Sequence, residues 1–320
     1  MIRCLLVVLG VAGTLAGCAP GPTGTPLASR LAPPPTERIV VLAGTVGAMT
    51  LVAPDSAGTF RAVTDANGSA PGIPANAAWL SSDGSQLLAT TLDGRALLGT
   101  PDMASSSGTP GLSVMWRAGS GDLAEPHPLR AFGSLGSGAQ VAFVEGDPGA
   151  GTPGRLVVET LEGSTVRTIA LPLAAESPPA WLPDGRIAVI VRDQGDEPET
   201  LLVDADGRPR RHNGQPLRSI AIGGDTVALI DAGGSLRVGT IGAWLAGSTL
   251  QPIASGDPGE TALQAQPSPS GTALAVVVAD VEGDGDAIRI LAAAGGWHEI
   301  ARFGLPARAN RAVVGWLAVP

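Results

Sequence analysis

The stretch PPAWLPDGRIAVIVRDQGDEPETLLVDADG, residues 178–207, contains the pattern that indicates the fold. Two short apolar segments, residues 180–182 and 187–191, flank the turn sequence Pro183-Asp184-Gly185. Glycine adopts the positive φ values that tight hairpin turns require. Short Val- and Ile-rich runs between Gly, Pro and Asp clusters are typical of antiparallel strands. The stretch therefore predicts a β-hairpin followed by further strands.

Related stretches recur along the chain. Clear copies are NAAWLSSDGSQLLATT from residue 76 and QAQPSPSGTALAVVV from residue 264, and weaker copies start at residues 128 and 218. Aligning them gives six anchor positions, at Trp79, Phe132, Trp181, Ile222, Gln266 and Trp316. Their spacing of about 41 to 53 residues is close to the length of a four-stranded propeller blade. The repeats therefore predict an all-β, six-bladed β-propeller.

The two ends of the repeat region complement each other. The chain stops shortly after the sixth anchor, whereas the region from residue 37 begins with strand-like runs at 38–43, 49–53 and 60–64 that have no anchor. Pairing the N-terminal strands with the C-terminal strand would close the ring and remove an aggregation-prone edge. A pair of β-sandwich sheets also explains the strands, but it does not explain the matching ends.

The anchor segments resemble the repeats of TolB-type propellers, in which P-x-W-S-P-D-G precedes an apolar strand. PAWLPDG from residue 179 is the nearest match, followed by AWLSSDG from residue 78, while PSPSG from residue 267 keeps the turn without the tryptophan. The resemblance implies a propeller fold and a setting in the bacterial cell envelope. It implies no catalytic residues.

The first 17 residues have the layout of a secretory signal peptide. Arg3 precedes an apolar run over residues 4–16, which is too short for a comfortable membrane span. Leu15-Ala16-Gly17-Cys18 resembles the bacterial lipobox, which implies that Cys18 carries a lipid and becomes the mature N-terminus. The alternative is an ordinary signal peptide with a chance cysteine. We expect an exported protein that is lipid-anchored on the extracytoplasmic side of a bacterial membrane.

Residues 18–36 follow as a Pro- and Gly-rich segment that we interpret as a flexible tether. The alternative is an ordered N-terminal extension. Residues 37–320 then form the propeller domain. Loss of Cys4 with the signal and acylation of Cys18 would leave no free thiol, so the exported chain would lack disulfides.

Composition excludes several chemistries. The chain has 20 basic and 29 acidic residues, a formal net charge of −9, no tyrosine and no lysine. Schiff-base lysines, P-loop lysines and tyrosine nucleophiles are therefore absent from the sequence. The negative charge also argues against a nucleic-acid partner, because phosphate binding requires clustered bases.

Candidate binding residues lie in the connections between blades. In a propeller these connections emerge on the same side as the loop between the second and third strands of each blade. Polar and charged residues there form a possible binding face, composed of Asn76, Glu125, His127, Glu176, His212, Asn213, Glu260, Arg308 and Asn310.

One acidic motif has the character of a cation site. Asp280, Glu282, Asp284 and Asp286 alternate around a glycine turn, and such oxygen donors suit calcium. The motif is not an EF-hand, since its twelfth position is Leu291 and its flanks are strand-like. A solvated acidic hairpin is the alternative interpretation. Apart from possible calcium, we expect no cofactor.

No catalytic motif accompanies these features. The chain lacks G-x-S-x-G and H-E-x-x-H. We therefore expect a non-catalytic binding or scaffold module for an envelope protein, a peptide or a glycan; the alternative is a lyase or hydrolase that uses residues of the central channel. Trp79, Trp181 and Trp316 are expected in the core, whereas Trp116, Trp244 and Trp297 are candidate contacts for a sugar or a partner.

Overall fold

The computed structural model describes residues 37–45, 48–54, 59–62, 75–102, 113–127, 130–136, 140–146, 152–192, 197–212, 214–254, 259–279, 286–305 and 309–318. Within them, the strands form six antiparallel sheets. Cys18, the predicted signal segment and the predicted tether lie outside the described residues. None of the helices among the described residues is long and apolar enough to cross a membrane.

The first two complete blades follow the chain order. Blade one consists of β4 (Ala75–Leu80), β5 (Leu87–Thr91), β6 (Ala96–Asp102) and β7 (Ser113–Ala118). A short 3-10 helix, Gly121–Ala124, leads to the next sheet. Blade two consists of β8 (Arg130–Leu135), β9 (Gln140–Glu145), β10 (Arg155–Thr160) and β11 (Thr165–Ala170).

Blade three has a divided innermost strand. It consists of β12 (Ala174–Ala175), β13 (Ala180–Trp181), β14 (Ile187–Arg192), β15 (Glu199–Val203) and β16 (Pro209–His212). Both β12 and β13 pair with β14, and Pro178 and Pro179 lie between them. Proline has no N–H to donate to a strand ladder, which accounts for the interruption.

Blades four and five complete the sequential series. Blade four consists of β17 (Leu217–Gly223), β18 (Thr226–Asp231), β19 (Leu236–Thr240) and β20 (Gln251–Ile253). Helix α1 (Ile241–Leu245) connects β19 to β20, and the Thr240 hydroxyl caps it by accepting a hydrogen bond from the Ala243 N–H at 3.2 Å. Blade five consists of β21 (Thr261–Pro267), β22 (Ala273–Ala279), β23 (Ala287–Ala292) and β24 (His298–Gly304).

The closing blade joins the two ends of the described chain. Its strands are β25 (Ala309–Ala318), β1 (Glu37–Thr45), β2 (Ala48–Pro54) and β3 (Phe60–Ala62), in that spatial order. In its antiparallel register, Ile39 pairs with Trp316 and Val40 pairs with Gly315. The predicted all-β, six-bladed fold is therefore confirmed, and this pairing agrees with the predicted closure.

The repeat anchors all fall on innermost strands. These strands are β4, β8, β13, β17, β21 and β25, and each contacts the next around the ring. Buried faces of neighbouring sheets form the core; between blades two and three, for example, Leu156 and Val158 pack with Ile187 and Val189. Each sheet packs against its two neighbours around the ring, so the alternative arrangement of paired β-sandwich sheets is excluded.

The Pro183-Asp184-Gly185 turn has the predicted geometry. Gly185 adopts a φ of 83°, and its N–H donates to the Leu182 carbonyl at 3.0 Å. The Leu182 N–H donates to the Arg186 carbonyl at 2.8 Å across the same hairpin. A side chain at this φ would be strained, which is the reason for glycine here.

Candidate functional site

The innermost strands of blades one to five surround a central cavity of 370 Å³. Most of its wall is apolar, with Trp79 from β4, Leu135 from β8 and Ile222 from β17 among the lining side chains. Its volume lies in the range of small-molecule ligand pockets, about 300 to 1,000 Å³. We refer to it as the central cavity.

Three buried polar atoms in the wall of the central cavity have no hydrogen-bond partner among the described residues. They are the Ser134 Oγ, the Trp181 Nε1 and the Gln264 Oε1. They come from blades two, three and five. Buried polar groups are nearly always hydrogen-bonded, so three unpaired ones around one cavity indicate a surface suited to a polar ligand.

Another buried indole, that of Trp316 in the closing blade, has a hydrogen-bond acceptor, in contrast to Trp181. The Trp316 Nε1 donates to the Gln266 carbonyl at 2.9 Å, and the Gln266 side-chain amide donates to the Ile222 carbonyl at 3.3 Å. Trp316 and Gln266 are thus used in contacts between blades. Trp181 is also buried, at 8% exposure, but its N–H remains available to a ligand.

Two charged residues lie at the edge of the central cavity. Glu176, which belongs to the predicted binding face, forms an ion pair with Arg192 at 3.0 Å. Arg218 is exposed and has no ion pair with any residue that the structure describes. The edge of the central cavity therefore carries one carboxylate that is already ion-paired, that of Glu176, and one exposed guanidinium, that of Arg218.

The described lining of the central cavity is poor in groups for acid–base chemistry. It contains no histidine or cysteine, and Glu176 is its one carboxylate. General acid–base catalysis would require a positioned proton acceptor or donor near the reacting group. The arrangement is suited to holding a neutral, amide-like or hydroxyl-bearing group.

Glu260, predicted in the binding face, lies in an ion-pair network of blade five. Its side chain is 4% exposed, and its carboxylate lies 2.5 Å from the Arg302 Nη1. Arg289 approaches the same carboxylate at 3.9 Å and pairs with Glu299 at 2.5 Å. Hydrogen bonds from Arg302 and Arg289 help hold the pKa of Glu299 below its usual value, against the effect of burial. The Glu260 side chain thus pairs with arginines of β23 and β24 in blade five.

His127 belongs to a second charge network, between blades one and two. Its Nδ1 lies 3.7 Å from a carboxylate oxygen of Glu145. Arg130 lies beside them, fully buried, and donates to both carboxylate oxygens of Glu159, at 2.8 and 3.1 Å. Its guanidinium also lies 4.2 Å from the centre of the Phe143 ring. The network buries its charges in the blade interface.

The other residues of the predicted face are dispersed. Glu125 is exposed after the 3-10 helix, Asn76 lies in β4 and Asn310 lies in β25. His212 lies between blades three and four, away from the central cavity. Asn213 and Arg308 lie outside the described residues. Only Glu176 of this set lines the central cavity.

The predicted calcium motif falls largely outside the described residues. This applies to Asp280, Glu282 and Asp284. Asp286 is described, is partly buried, and its backbone carbonyl accepts a hydrogen bond from the Leu305 N–H at 2.9 Å. Among the described residues, no group of three or more His, Cys, Asp or Glu side chains could hold a metal ion.

Several residues of the site escaped sequence reasoning. The innermost strands contain three of these residues, Ser134, Arg218 and Gln264, and the sequence there shows only an alternation of residue types. A polar residue inside an otherwise apolar strand, as at Gln264, is the one sequence signal that could have identified them.

Trp244, expected as an exposed contact, is buried at 5% exposure. It packs into the core between blades three and four because helix α1 turns it inward.

The sequence matches no protein-family model and no curated protein. Among solved structures, a quinonprotein alcohol dehydrogenase-like protein from Bacteroides thetaiotaomicron is 11% identical with a TM-score of 0.48, covering 88% of this chain and 68% of that one. A Synechocystis apocarotenoid oxygenase variant is 12% identical, with a TM-score of 0.48 and coverages of 88% and 72%. PorZ, a surface component of the Porphyromonas gingivalis type-IX secretion system, is 12% identical with a TM-score of 0.44, and the match covers 84% of this chain and 37% of that one. These similarities concern the fold alone.

Proposed function

We propose that this chain is a lipid-anchored, extracytoplasmic binding propeller that takes a peptide segment of an envelope protein into the mouth of its central cavity. The observation that carries the proposal is that the buried polar atoms of Ser134, Trp181 and Gln264 have no hydrogen-bond partner among the described residues and surround an apolar cavity. The activity is non-catalytic binding.

A peptide suits this set of groups because an amide supplies both partners that the wall requires. The Gln264 Oε1 accepts from a ligand N–H, and the Trp181 Nε1 donates to a ligand carbonyl. The Ser134 hydroxyl serves either partner. The apolar wall, including Trp79 and Leu135, then packs against one apolar ligand side chain. Satisfying buried groups in this way gives specificity as well as affinity.

The anchored location is supported by the sequence. The lipobox-like segment ending at Cys18 and the tether over residues 18–36 would hold the ring near a membrane surface. A rigid ring on a tether can present its loops and its cavity to a partner in the envelope. Fold alone does not define this function, so the proposal depends on the cavity residues.

Binding accounts for the cavity residues better than catalysis does. A lyase or hydrolase would use a base or a nucleophile–base pair in the cavity. Glu176 is the carboxylate of the described lining, and it is ion-paired with Arg192. The serines of the lining have no histidine beside them among its described residues.

Site-specific photocrosslinking tests the proposal. A photoreactive phenylalanine analogue replaces Arg218 at the rim, and the matched control carries it at Leu92, which is 65% exposed and outside the lining. The full chain is crosslinked in the membrane of its host, and adducts are identified by mass spectrometry. We expect defined peptide adducts at position 218 and none of the same mass at position 92.

A second pair of variants connects the adduct to the cavity. Gln264→Leu removes the acceptor in the wall and should abolish the adduct at position 218, while Gln215→Leu at an exposed glutamine should leave it unchanged. Equal adducts at positions 218 and 92, or an adduct that persists in Gln264→Leu, would overturn the proposal. An adduct to glycan instead of peptide would do the same.

A further inference from the structure

A second cavity of 260 Å³ lies between blades three and four, separate from the central cavity. Its wall includes Thr200 of β15, His212 of β16, Arg237 of β19 and Trp244 of α1. Gly214 and residues 247–249 are exposed at its border, so it opens toward solvent. We refer to it as the interblade cavity.

Strand alternation directs Thr200 and Arg237 toward each other's blades. On β15, Leu201 packs toward blade two while Leu202 packs toward blade four, so Thr200 shares the face of Leu202. On β19, Leu236 and Val238 pack toward blade five, so Arg237 faces blade three. The two polar side chains therefore meet the interblade cavity from opposite walls.

Both of these side chains have a buried atom that lacks a partner. Thr200 is 6% exposed, and its Oγ1 has no hydrogen-bond partner among the described residues. The Nε of Arg237 is also buried and unpaired within the described chain. A buried hydroxyl and a buried guanidinium Nε without partners among the described residues are costly unless a bound molecule satisfies them.

Arg237 is the one permanently charged side chain in the described lining of the interblade cavity. No acidic side chain occurs in its described lining, and Arg237 forms no ion pair with a described residue. His212 packs edge-on against the Trp244 ring, with centroids 4.9 Å apart. Burial lowers the pKa of His212, so the imidazole is mainly neutral near pH 7. The guanidinium is thus the charge that a ligand would meet.

The remaining wall is apolar and aromatic. Leu217, Leu229, Leu250 and the Trp244 ring line the interblade cavity beside the polar pair. A carboxylate accepts from a guanidinium and from a hydroxyl at once, while an apolar body packs on leucine and tryptophan. We propose that the interblade cavity binds a small organic carboxylate, with its charged group on Arg237 and Thr200 and its apolar body on Trp244.

Isothermal titration calorimetry with benzoate tests this proposal on the full chain, purified in a non-ionic detergent. Benzoate should bind with a dissociation constant of the order of 1 mM, as expected for so small a ligand. Benzamide, the neutral isostere, and inorganic phosphate, which has no apolar body, should each bind at least about tenfold more weakly.

Variants assign the binding to the interblade cavity. Arg237→Met should weaken benzoate binding by about tenfold or more, and the isosteric Thr200→Val should weaken it severalfold without disturbing the packing. Arg208→Met is the matched control, since Arg208 is an exposed arginine paired with Asp206 outside this cavity. It should leave the affinity unchanged.

The proposal would be overturned if the unmodified chain bound no benzoate at a benzoate concentration about tenfold above the expected dissociation constant. Unchanged benzoate affinity in Thr200→Val, or in a folded Arg237→Met, would overturn it as well. So would phosphate that binds as tightly as benzoate. The last result would identify a simple anion site. Because Thr200→Val preserves shape, the test stands even where Arg237→Met reduces folding.

Discussion

The carboxylate of Glu37 accepts two hydrogen bonds from Ser270, one from the backbone N–H at 2.6 Å and one from the hydroxyl at 2.9 Å. The two residues are 233 positions apart in the chain. Glu37 opens β1 of the closing blade, whereas Ser270 lies in the turn between β21 and β22 of blade five. The contact therefore connects the first strand of the closing blade to blade five through side-chain and backbone groups.

Replacing Glu37 with alanine should lower the free energy of unfolding by about 1.5 to 3 kcal/mol, because a charge-assisted contact is lost and the Ser270 N–H loses its acceptor. Urea denaturation measures the change. Glu125→Ala, at an exposed glutamate, is the control and should stay within about 0.5 kcal/mol. Equal stability of the two variants would mean that the Glu37 contact does not support ring closure.

Gly315 permits the close approach of β25 to blade one. A Cβ on Gly315 would overlap the Leu80 side chain, lying 3.0 Å from the Leu80 Cβ itself. Gly315→Val should therefore separate the closing blade from β4 and reduce stability by about 1 to 3 kcal/mol, as overpacking does. Thermal unfolding measures it. Gly304→Ala, where nothing lies within 4 Å, is the control, and a comparable loss there would contradict the steric explanation.

Deleting residues 311–320 should have a larger effect than either substitution. The deletion removes most of β25, whose pairing with β1 completes the closing blade. The exposed edge of β1 and the loss of Trp316 from the core should then prevent a cooperative unfolding transition. Calorimetry of the truncated chain checks this, and an unchanged melting temperature would contradict closure through β25.

Arg130 and Glu159 form a buried ion pair, so removing one partner should be costly. Arg130→Met should destabilise the chain by about 3 to 5 kcal/mol at pH 7, since it leaves Glu159 buried without its cation. Arg208→Met removes an exposed pair with Asp206 and should cost at most about 1 kcal/mol. Similar losses of unfolding free energy in the two variants would show that burial of the ion pair does not set the cost of removing it.

The cost of Arg130→Met should also depend on pH. Burial raises the pKa of Glu159 above its ordinary value of 4.5, while Arg130 lowers it. A carboxyl with a raised pKa loses its stabilising contribution as pH rises through that pKa, and losing Arg130 raises it further. The difference between variant and parent should therefore widen from pH 4.5 to neutrality. Urea denaturation at several pH values measures it, and a constant difference would contradict this linkage.

His212 should make the stability of blades three and four pH-dependent in the opposite sense. Burial lowers its pKa from 6.5, against a hydrogen bond with the Trp244 backbone, and Arg186 lowers it further. Stability linked to such a group is present above its ordinary pKa and is lost as pH falls toward the lowered one. His212→Gln should flatten the fall in melting temperature below pH 6.5. His298→Gln, at an exposed histidine, is the control; an identical profile in both variants would exclude His212 as the cause.

The inner repeats could be predicted from the sequence because their signals are local. The Pro183-Asp184-Gly185 turn and the alternating apolar residues beside it specify a hairpin through φ values and side-chain alternation within a few residues. Repetition of that unit at blade spacing then indicates the ring. The sequence predicts Glu176 in a connection between blades, and its side chain lies in the lining of the central cavity.

The composition of the binding surfaces could not be predicted in this way. Ser134, Trp181 and Gln264 come from three blades, and their convergence depends on how the blades are rotated about the ring. Glu260 is a second example. Its position in a connection between blades predicts a ligand contact, but in the folded protein Arg302 forms an ion pair with it. Ion pairs across strands depend on register, which a single sequence does not display.

The strand units, their number and the complementary ends can be predicted from the amino-acid sequence, because they depend on local periodicity and on turn residues. The folded ring determines which polar atoms lack a partner among the described residues, as at Gln264 in the central cavity and Thr200 in the interblade cavity. The partners in these hydrogen bonds come from groups that are distant in the chain. Ring closure brings those groups to a buried wall, where a polar atom without a protein partner binds a ligand or water.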